Sequence, residues 1–236
     1  EWKAVKGSRY FESFDLYKEN GFKERTKAEE LVSYLSQSQP MTCVVDAIEK
    51  KQEKKNPPLL FNLAELQNEC AKLFKISPDE TLMIVQELYE KKLVTYPRTD
   101  ARVLSTAVAK EISKNIRGLQ NYSICAELAG HVLEKGSYKN IAKTKYVNDK
   151  QITDHYAIIP TGQGFGALKS VSATAEKVYE TIVRRFLSIF YPPAEFNKMT
   201  VKINVGNEEF SVNGKVCINQ GYLEVLKNRQ KSEDEE

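Results

Sequence analysis

The chain has 236 residues, 41% of them hydrophobic and 28% charged, with a formal net charge of +3. It is long enough for one large domain or two ordinary ones and too apolar for a disordered chain. No apolar run approaches the roughly 18 residues of a membrane-crossing helix, so no membrane partner is expected, and the mild positive charge permits a nucleic-acid partner without arguing for one.

The first 25 residues mix aromatics with polar residues and glycines, as short antiparallel strands do. Thr26 and Glu29 have the spacing of a capping box, and Leu31, Val32 and Leu35 follow at helical intervals. After Pro40 the run MTCVVDAI reads as a strand. The stretch EKKQEKKNPP, residues 49–58, is basic and closes on two prolines, so it is expected to be a domain boundary and either a solvated connection or a contact of its lysines to a DNA backbone.

Asn62 with Glu65 predicts a helix whose apolar positions are Leu63, Leu66, Cys70, Leu73 and Phe74. Ser77, Pro78 and Glu80 predict the start of a second, with Leu82, Val85, Leu88 and Tyr89 on its apolar face. LVTYP follows as a short strand. Helix, tight turn, helix and strand is the order of a winged helix. Ser105 opens a further helix, and YSICAELAGHVLEKG reads as another.

TGQGFGAL carries glycines at 162, 164 and 166 but lacks the GxGxxG order of a phosphate loop, so a flexible crossing is expected there. A long amphipathic helix should run from about Ala173 to Phe190, with Val178, Ile182, Val183, Phe186 and Phe190 on one face. MTVKINV alternates as a strand does. VGNEEF and the pair Asn213-Gly214 both signal turns, the latter suited to a type I′ hairpin. The expected fold is α+β: a discontinuous β-rich domain over residues 1–58 and 162–236, interrupted by a mostly helical, winged-helix-like domain over 59–161. The crossings near 56–60 and 161–167 are the expected hinges.

Cys43, Cys70, Cys125 and Cys217 form no CxxC pair, and the histidines are His131 and His155 alone, so a His/Cys metal site is not expected. Unpaired cysteines suit a reducing, cytoplasmic location. The start at Glu1 without an apolar leader, and the acidic run KNRQKSEDEE, are read as marks of a piece of a longer chain without a signal peptide.

Two segments, YPRTDARVLS and ITDHYAIIPTG, resemble the signature segments of type IA DNA topoisomerases, most closely the topoisomerase III branch. The helix VQELYEKKLVTY before the first, and RRFLSIFYPPAEF, FSVNGKVCI and GYLEVL near the end, extend the resemblance over nearly the whole chain. It implies a toroid-forming (arch) β-rich domain and a winged-helix-like domain carrying the active-site tyrosine. It also implies single-stranded DNA as substrate and Mg2+ as cofactor, the metal being held by a Toprim domain. No Asp-x-Asp-x-Glu cluster of that domain is found in this sequence, so the Toprim and C-terminal domains are expected as partners elsewhere in the parent chain.

The resemblance makes Tyr96 the nucleophile and brings His155 to it as a phosphate contact or proton-transfer partner. A phenol, with an ordinary pKa of about 10, needs help to react near neutrality. Arg98 is suited to fork across two phosphate oxygens, and strand alternation would put it on the same face as Tyr96. Thr99 and Asp100 are expected to orient Arg98 or cap the next turn. Glu90, at a helix C-terminus where the dipole disfavours it, is expected to have a partner. Lys91 and Lys92 are candidate contacts to the DNA backbone, Arg184 and Arg185 either such contacts or solvated, and His131 structural. The other reading is a non-enzymatic winged-helix DNA-binding module. The acidic residues Asp79, Glu80, Glu87 and Glu90 on the would-be recognition helix, against Lys91 and Lys92, count against it.

Overall fold

Three side-chain caps set the helical frame. Asn62, Ser77 and Ser105 accept hydrogen bonds from the backbone N–H of Glu65, Glu80 and Val108 at 2.9, 3.1 and 3.2 Å. They open α2 (Leu63–Phe74), α3 (Pro78–Glu90) and α4 (Thr106–Leu119), satisfying donors that a helix start leaves unpaired. The structure is a computed structural model that describes residues 1–18, 20–37 and 42–227. The acidic terminal run and the start of the strand expected from Met41 lie outside those residues.

The chain divides into two compact units, one of residues 1–54 and 195–219, the other of 55–194 and 220–236. The first holds a mixed arrangement around an antiparallel sheet. Its strands are β1 (Trp2–Lys3), β4 (Cys43–Lys55), β5 (Ala194–Val205) and β6 (Glu208–Asn219), in the order β1-β6-β5-β4. A small hairpin of β2 (Leu16–Lys18) and β3 (Gly21–Phe22) and the helix α1 (Arg25–Leu35) complete it. Its packing is local. The Trp2 ring stacks on Phe22 at 4.9 Å, Tyr10 meets Phe22 edge-on at 5.0 Å, and the buried Glu208 carboxylate accepts from the Trp2 indole at 2.8 Å and the Arg9 amide at 2.6 Å.

Three local readings differ here. Thr26 and Glu29 form no capping box, because α1 starts two residues earlier with Glu24 as an N-cap that makes no side-chain bond. Residues 49–55, expected as a solvated connection, belong to β4. Glu49, Glu53 and Lys54 reach Lys202, Lys215 and Glu195 at 3.5, 2.7 and 2.7 Å, so the alternating charges serve cross-strand pairing. The hairpin turn is Gly206-Asn207, with Gly206 at φ 60°. Asn213 and Gly214 instead lie mid-strand opposite Thr200 and Met199.

The second unit carries one continuous core. Leu66 and Cys70 of α2, Val85 and Leu88 of α3, Ile112, Ile116 and Leu119 of α4, and Ala129 and Val132 of α5 (Ala126–Lys135) are all buried in it. So are Val178, Ile182, Val183 and Phe186 of α6 (Ala173–Ser188). The expected boundary at 161/162 is therefore corrected, since α6 packs against α2, α3 and α5 rather than belonging with the sheet. Its last turns are buried all round, not on one face. Arg184 and Arg185 point inward too: Arg184 pairs with Glu180 at 2.6 Å and donates to the Val225 carbonyl at 3.0 Å. Arg185 donates to the Leu59 carbonyl at 3.2 Å and lies 4.0 Å from the Phe61 ring centroid. Neither is placed to meet DNA or water.

The expected hinge at 161–167 is a close-packed crossing. A Cβ on Gly118 would lie 2.1 Å from the Gly162 carbonyl oxygen, and one on Gly164 2.7 Å from that of Lys91, so backbones touch where only glycine fits. The segment 57–60 is also held, by the Tyr146 hydroxyl donating to the Pro57 carbonyl at 2.6 Å and by Arg102 and Arg185 donating to the carbonyls of Leu60 and Leu59.

Candidate active site

The segment after α3 starts with a forced turn. Lys92 adopts φ 61°, and the Leu93 amide donates to the Leu88 carbonyl at 2.9 Å. The chain then lies antiparallel to residues 158–161, with Val94 bridged to Pro160. The Thr95 amide donates to the Ile159 carbonyl, and the Thr161 amide to the Leu93 carbonyl, each at 3.0 Å. Regular pairing stops there, because Pro97 has no amide hydrogen to offer. The expected LVTYP strand is thus a single bridge. Strand alternation does not carry on to Arg98.

On the other side, the 155–161 segment is tied to the core by Ala157 donating to the Val103 carbonyl at 3.0 Å and Ile158 to that of Phe61 at 2.8 Å. The two segments bring Tyr96 and His155 together, their ring centroids 4.3 Å apart and the planes tilted by 38°. Tyr89, from the last turn of α3, meets Tyr96 edge-on at 5.5 Å. These rings border a cleft of about 510 Å³, also lined by Glu90, Lys92, Val94, Thr95, Tyr156 and Thr161. Burial pushes the Tyr156 phenol above its ordinary pKa, so that ring sits in the cleft as a neutral wall.

Of the expected site residues, Tyr96, His155, Glu90 and Lys92 meet in this cleft. Arg98 does not line it. It is exposed, and among the described residues no hydrogen bond or ion pair holds its side chain. Glu90 accepts from the Gln86 side chain at 3.2 Å. Lys91 is engaged elsewhere, with Glu87 at 3.7 Å and the Ser170 hydroxyl at 3.2 Å. Thr99 is buried and donates to the His155 carbonyl at 2.9 Å instead of holding Arg98, while its oxygen accepts from the Ala101 amide at 3.1 Å. Asp100 is exposed, and its carbonyl accepts from Asn62 at 3.1 Å. His131 lies outside, its ring stacked 5.4 Å from Tyr191.

Sequence reasoning passed over Tyr89, Thr95, Tyr156 and Thr161 as site residues. Tyr89 shares the helical stripe of Leu82 and Val85 and read as core, although it is partly exposed. Its aromatic type at the very end of a helix leading into Tyr96 was the available signal.

No three His, Cys, Asp or Glu side chains converge to hold a metal ion among the described residues. The described residues therefore do not fit the implied Mg2+. Nor is any helix among them long and apolar enough to cross a membrane.

The sequence profile of the family described as "DNA topoisomerase" matches residues 2–236. DNA topoisomerase 3 of Bacillus thuringiensis (strain Al Hakam) is 37% identical over 190 residues, which is 79% of this chain and 25% of that protein. DNA topoisomerase 3 of Bacillus subtilis (strain 168) is 34% identical over 216 residues, 90% of this chain and 29% of that one. The chain thus spans about a quarter to three-tenths of the length of these relatives. The structure of full-length topoisomerase I from Thermotoga maritima resembles it with a TM-score of 0.59 over 91% of this chain and 33% of that chain, at 22% identity, a likeness of fold. The chain belongs to the type IA DNA topoisomerase family.

Proposed function

We propose that this chain is the tyrosine-bearing part of a type IA DNA topoisomerase and that Tyr96 is its nucleophile. The observation that carries the reading is the Tyr96–His155 ring contact at 4.3 Å, at the edge of an open cleft and within the two segments that resemble the family's signatures.

In the proposed step the Tyr96 phenol oxygen attacks the phosphorus of a single-stranded DNA phosphodiester. A bond from tyrosine to phosphorus forms, the bond from phosphorus to the neighbouring sugar's 3′ oxygen breaks, and the DNA 5′ end is left on the protein. The phenol gives up its proton, and the departing 3′ oxygen takes one. One phosphodiester replaces another, so the reverse reaction reseals the strand without ATP after another strand has passed. His155 is positioned to exchange the proton or contact a phosphate oxygen. Arg98, exposed and uncommitted on the same loop, would fork across the non-bridging oxygens once DNA is present. Glu90 and Lys92 set the charge along the cleft wall.

In this reading α2, the turn at Lys75 and α3 form the winged-helix-like element, and the unit of residues 1–54 and 195–219 is the arch portion. Single-stranded DNA and the remaining domains of the parent chain, including the one that holds Mg2+, are its partners. The location is the cytoplasm. Alone, this chain should form no covalent adduct.

Covalent capture tests the proposal. End-labelled single-stranded DNA is incubated with the full-length enzyme and Mg2+, denatured, and the protein inspected for label. Label that disappears in Tyr96→Phe is the expected result. Label that persists in Tyr96→Phe would reject Tyr96 as the nucleophile, and DNA binding with no label in any form would favour the binding-module reading.

A further inference from the structure

The bridge between Val94 and Pro160 fixes a register: carried onward, Thr95 faces Ile159, Pro97 faces Ala157 and Thr99 faces His155. Beyond Thr95 a regular ladder is impossible, since the next donor toward the Ala157 carbonyl would be the missing amide hydrogen of Pro97. Two threonine hydroxyls continue the register instead. The Thr95 hydroxyl donates to the Ala157 carbonyl at 3.0 Å and accepts from the Ile159 amide at 2.9 Å. Thr99, one ladder step further on, donates to the His155 carbonyl at 2.9 Å. Thr99 is itself locked, because it is buried, its oxygen accepts from the Ala101 amide and its carbonyl from the Leu63 amide at 3.2 Å at the start of α2.

His155 is exposed, and its ring lies 4.3 Å from the Tyr96 ring. An exposed ring depends on its backbone for its place, and Thr99 holds the carbonyl of that backbone. We propose that Thr99 is a positioning residue that holds His155 against Tyr96, with Thr95 as the matching tie on the near side of the tyrosine. The inference rests on the Tyr96 reading for its consequence in DNA cleavage, but the positioning is a property of this chain.

The chemistry explains why threonine suits both places. A hydroxyl donates and accepts at once, so it can stand in for an amide while satisfying a neighbouring one. Its β-branching leaves few rotamers, so the oxygen is held in place. A geometry error of about 1 Å between reacting groups can lower a rate by on the order of 100-fold.

The test pairs Thr99→Val, which keeps the shape and loses the hydroxyl, with Thr99→Ser, which keeps the hydroxyl. The sequence has two histidines, so each ring is followed by proton NMR in the 236-residue chain, His131 serving as witness that the fold is intact. Tyr96→Leu should move the His155 resonance by removing the ring current beside it. Thr99→Val should move it the same way, and Thr99→Ser should leave it in place. In the full-length enzyme, Thr99→Val should slow strand cleavage about 10- to 100-fold at saturating DNA with DNA affinity unchanged, and Thr99→Ser should restore the rate.

The proposal is overturned if Thr99→Val leaves His155 where it is, if Thr99→Ser displaces it as valine does, or if Tyr96→Leu has no effect on it. Should valine disturb His131 as well, the serine and leucine variants alone decide. Covalent adduct surviving in Tyr96→Phe would instead sink the catalytic reading while leaving the positioning result standing.

Discussion

The two units bury their residues in opposite ways. In the helical unit, Ile112 and Ile116 of α4 and Ile182 and Phe186 of α6 lose nearly all contact with water. In the sheet unit, the buried hydrophobic residues among those described are Ala4, Tyr10 and Leu31, while Val212, Val216 and Ile218 of β6 stay about half exposed or more. The cysteines divide the same way: Cys70 and Cys125 are buried, their thiols pushed up to about 12 by desolvation, and Cys43 and Cys217 lie open. Hydrophobic burial thus holds the helical unit, whereas the sheet depends on backbone pairing and cross-strand charges. A rigid core sits beneath the Tyr96 cleft for that reason.

The contrast breaks first under core truncation. Ile116→Ala should lower the stability of the helical unit by about 2–5 kcal/mol, through lost transfer energy and a residual cavity. Denaturant melts followed by circular dichroism measure it, and a loss below about 1 kcal/mol would mean that the core around Ile116 is loosely packed.

Gly118→Ala comes next. In an ordinary helix interior alanine is the better helix former. Here its Cβ would meet the Gly162 carbonyl oxygen at 2.1 Å, so the substitution should destabilise by about 1–3 kcal/mol instead. A gain in the same melt would show that the 161–164 crossing yields easily. The smallest effect is expected on the sheet: Val216→Thr, at a residue 64% exposed, should change stability by no more than about 0.5 kcal/mol. A larger loss would reveal that this face is covered in solution.

What the sequence made legible follows the range of the forces involved. Caps at Asn62, Ser77 and Ser105 need only a side chain and an amide three residues on, and all were readable. The hairpin was readable only in part: VGNEEF marks the true turn, but Asn213-Gly214 offered a second, and pairing decided between them, since β5 extends far enough to hold Asn213 and Gly214 in register opposite Thr200 and Met199. Arg184 and Arg185 looked like surface cations because their acceptors, the carbonyls of Val225 and Leu59, are distant in sequence. In the site, Tyr96 and His155 were visible through family resemblance. The role of Thr99 was hidden, since its acceptor lies 56 positions away.

The division of the sheet unit between residues 1–54 and 195–219 bears on the order in which the molecule can be made. During synthesis β4 leaves the ribosome long before its neighbour β5 exists, with all of residues 55–194 still to come. An unfolded stretch of that length would add a loop-closure entropy that grows with the logarithm of its length. Within the sheet unit Lys54 and Glu195 meet at 2.7 Å, so the chain on either side of that stretch must come together for the sheet to form. A helical unit that condenses first shortens the unfolded stretch between β4 and β5 and so lowers the entropy still to be lost on pairing, and chains in which it fails should expose unpaired β4 edges prone to aggregate.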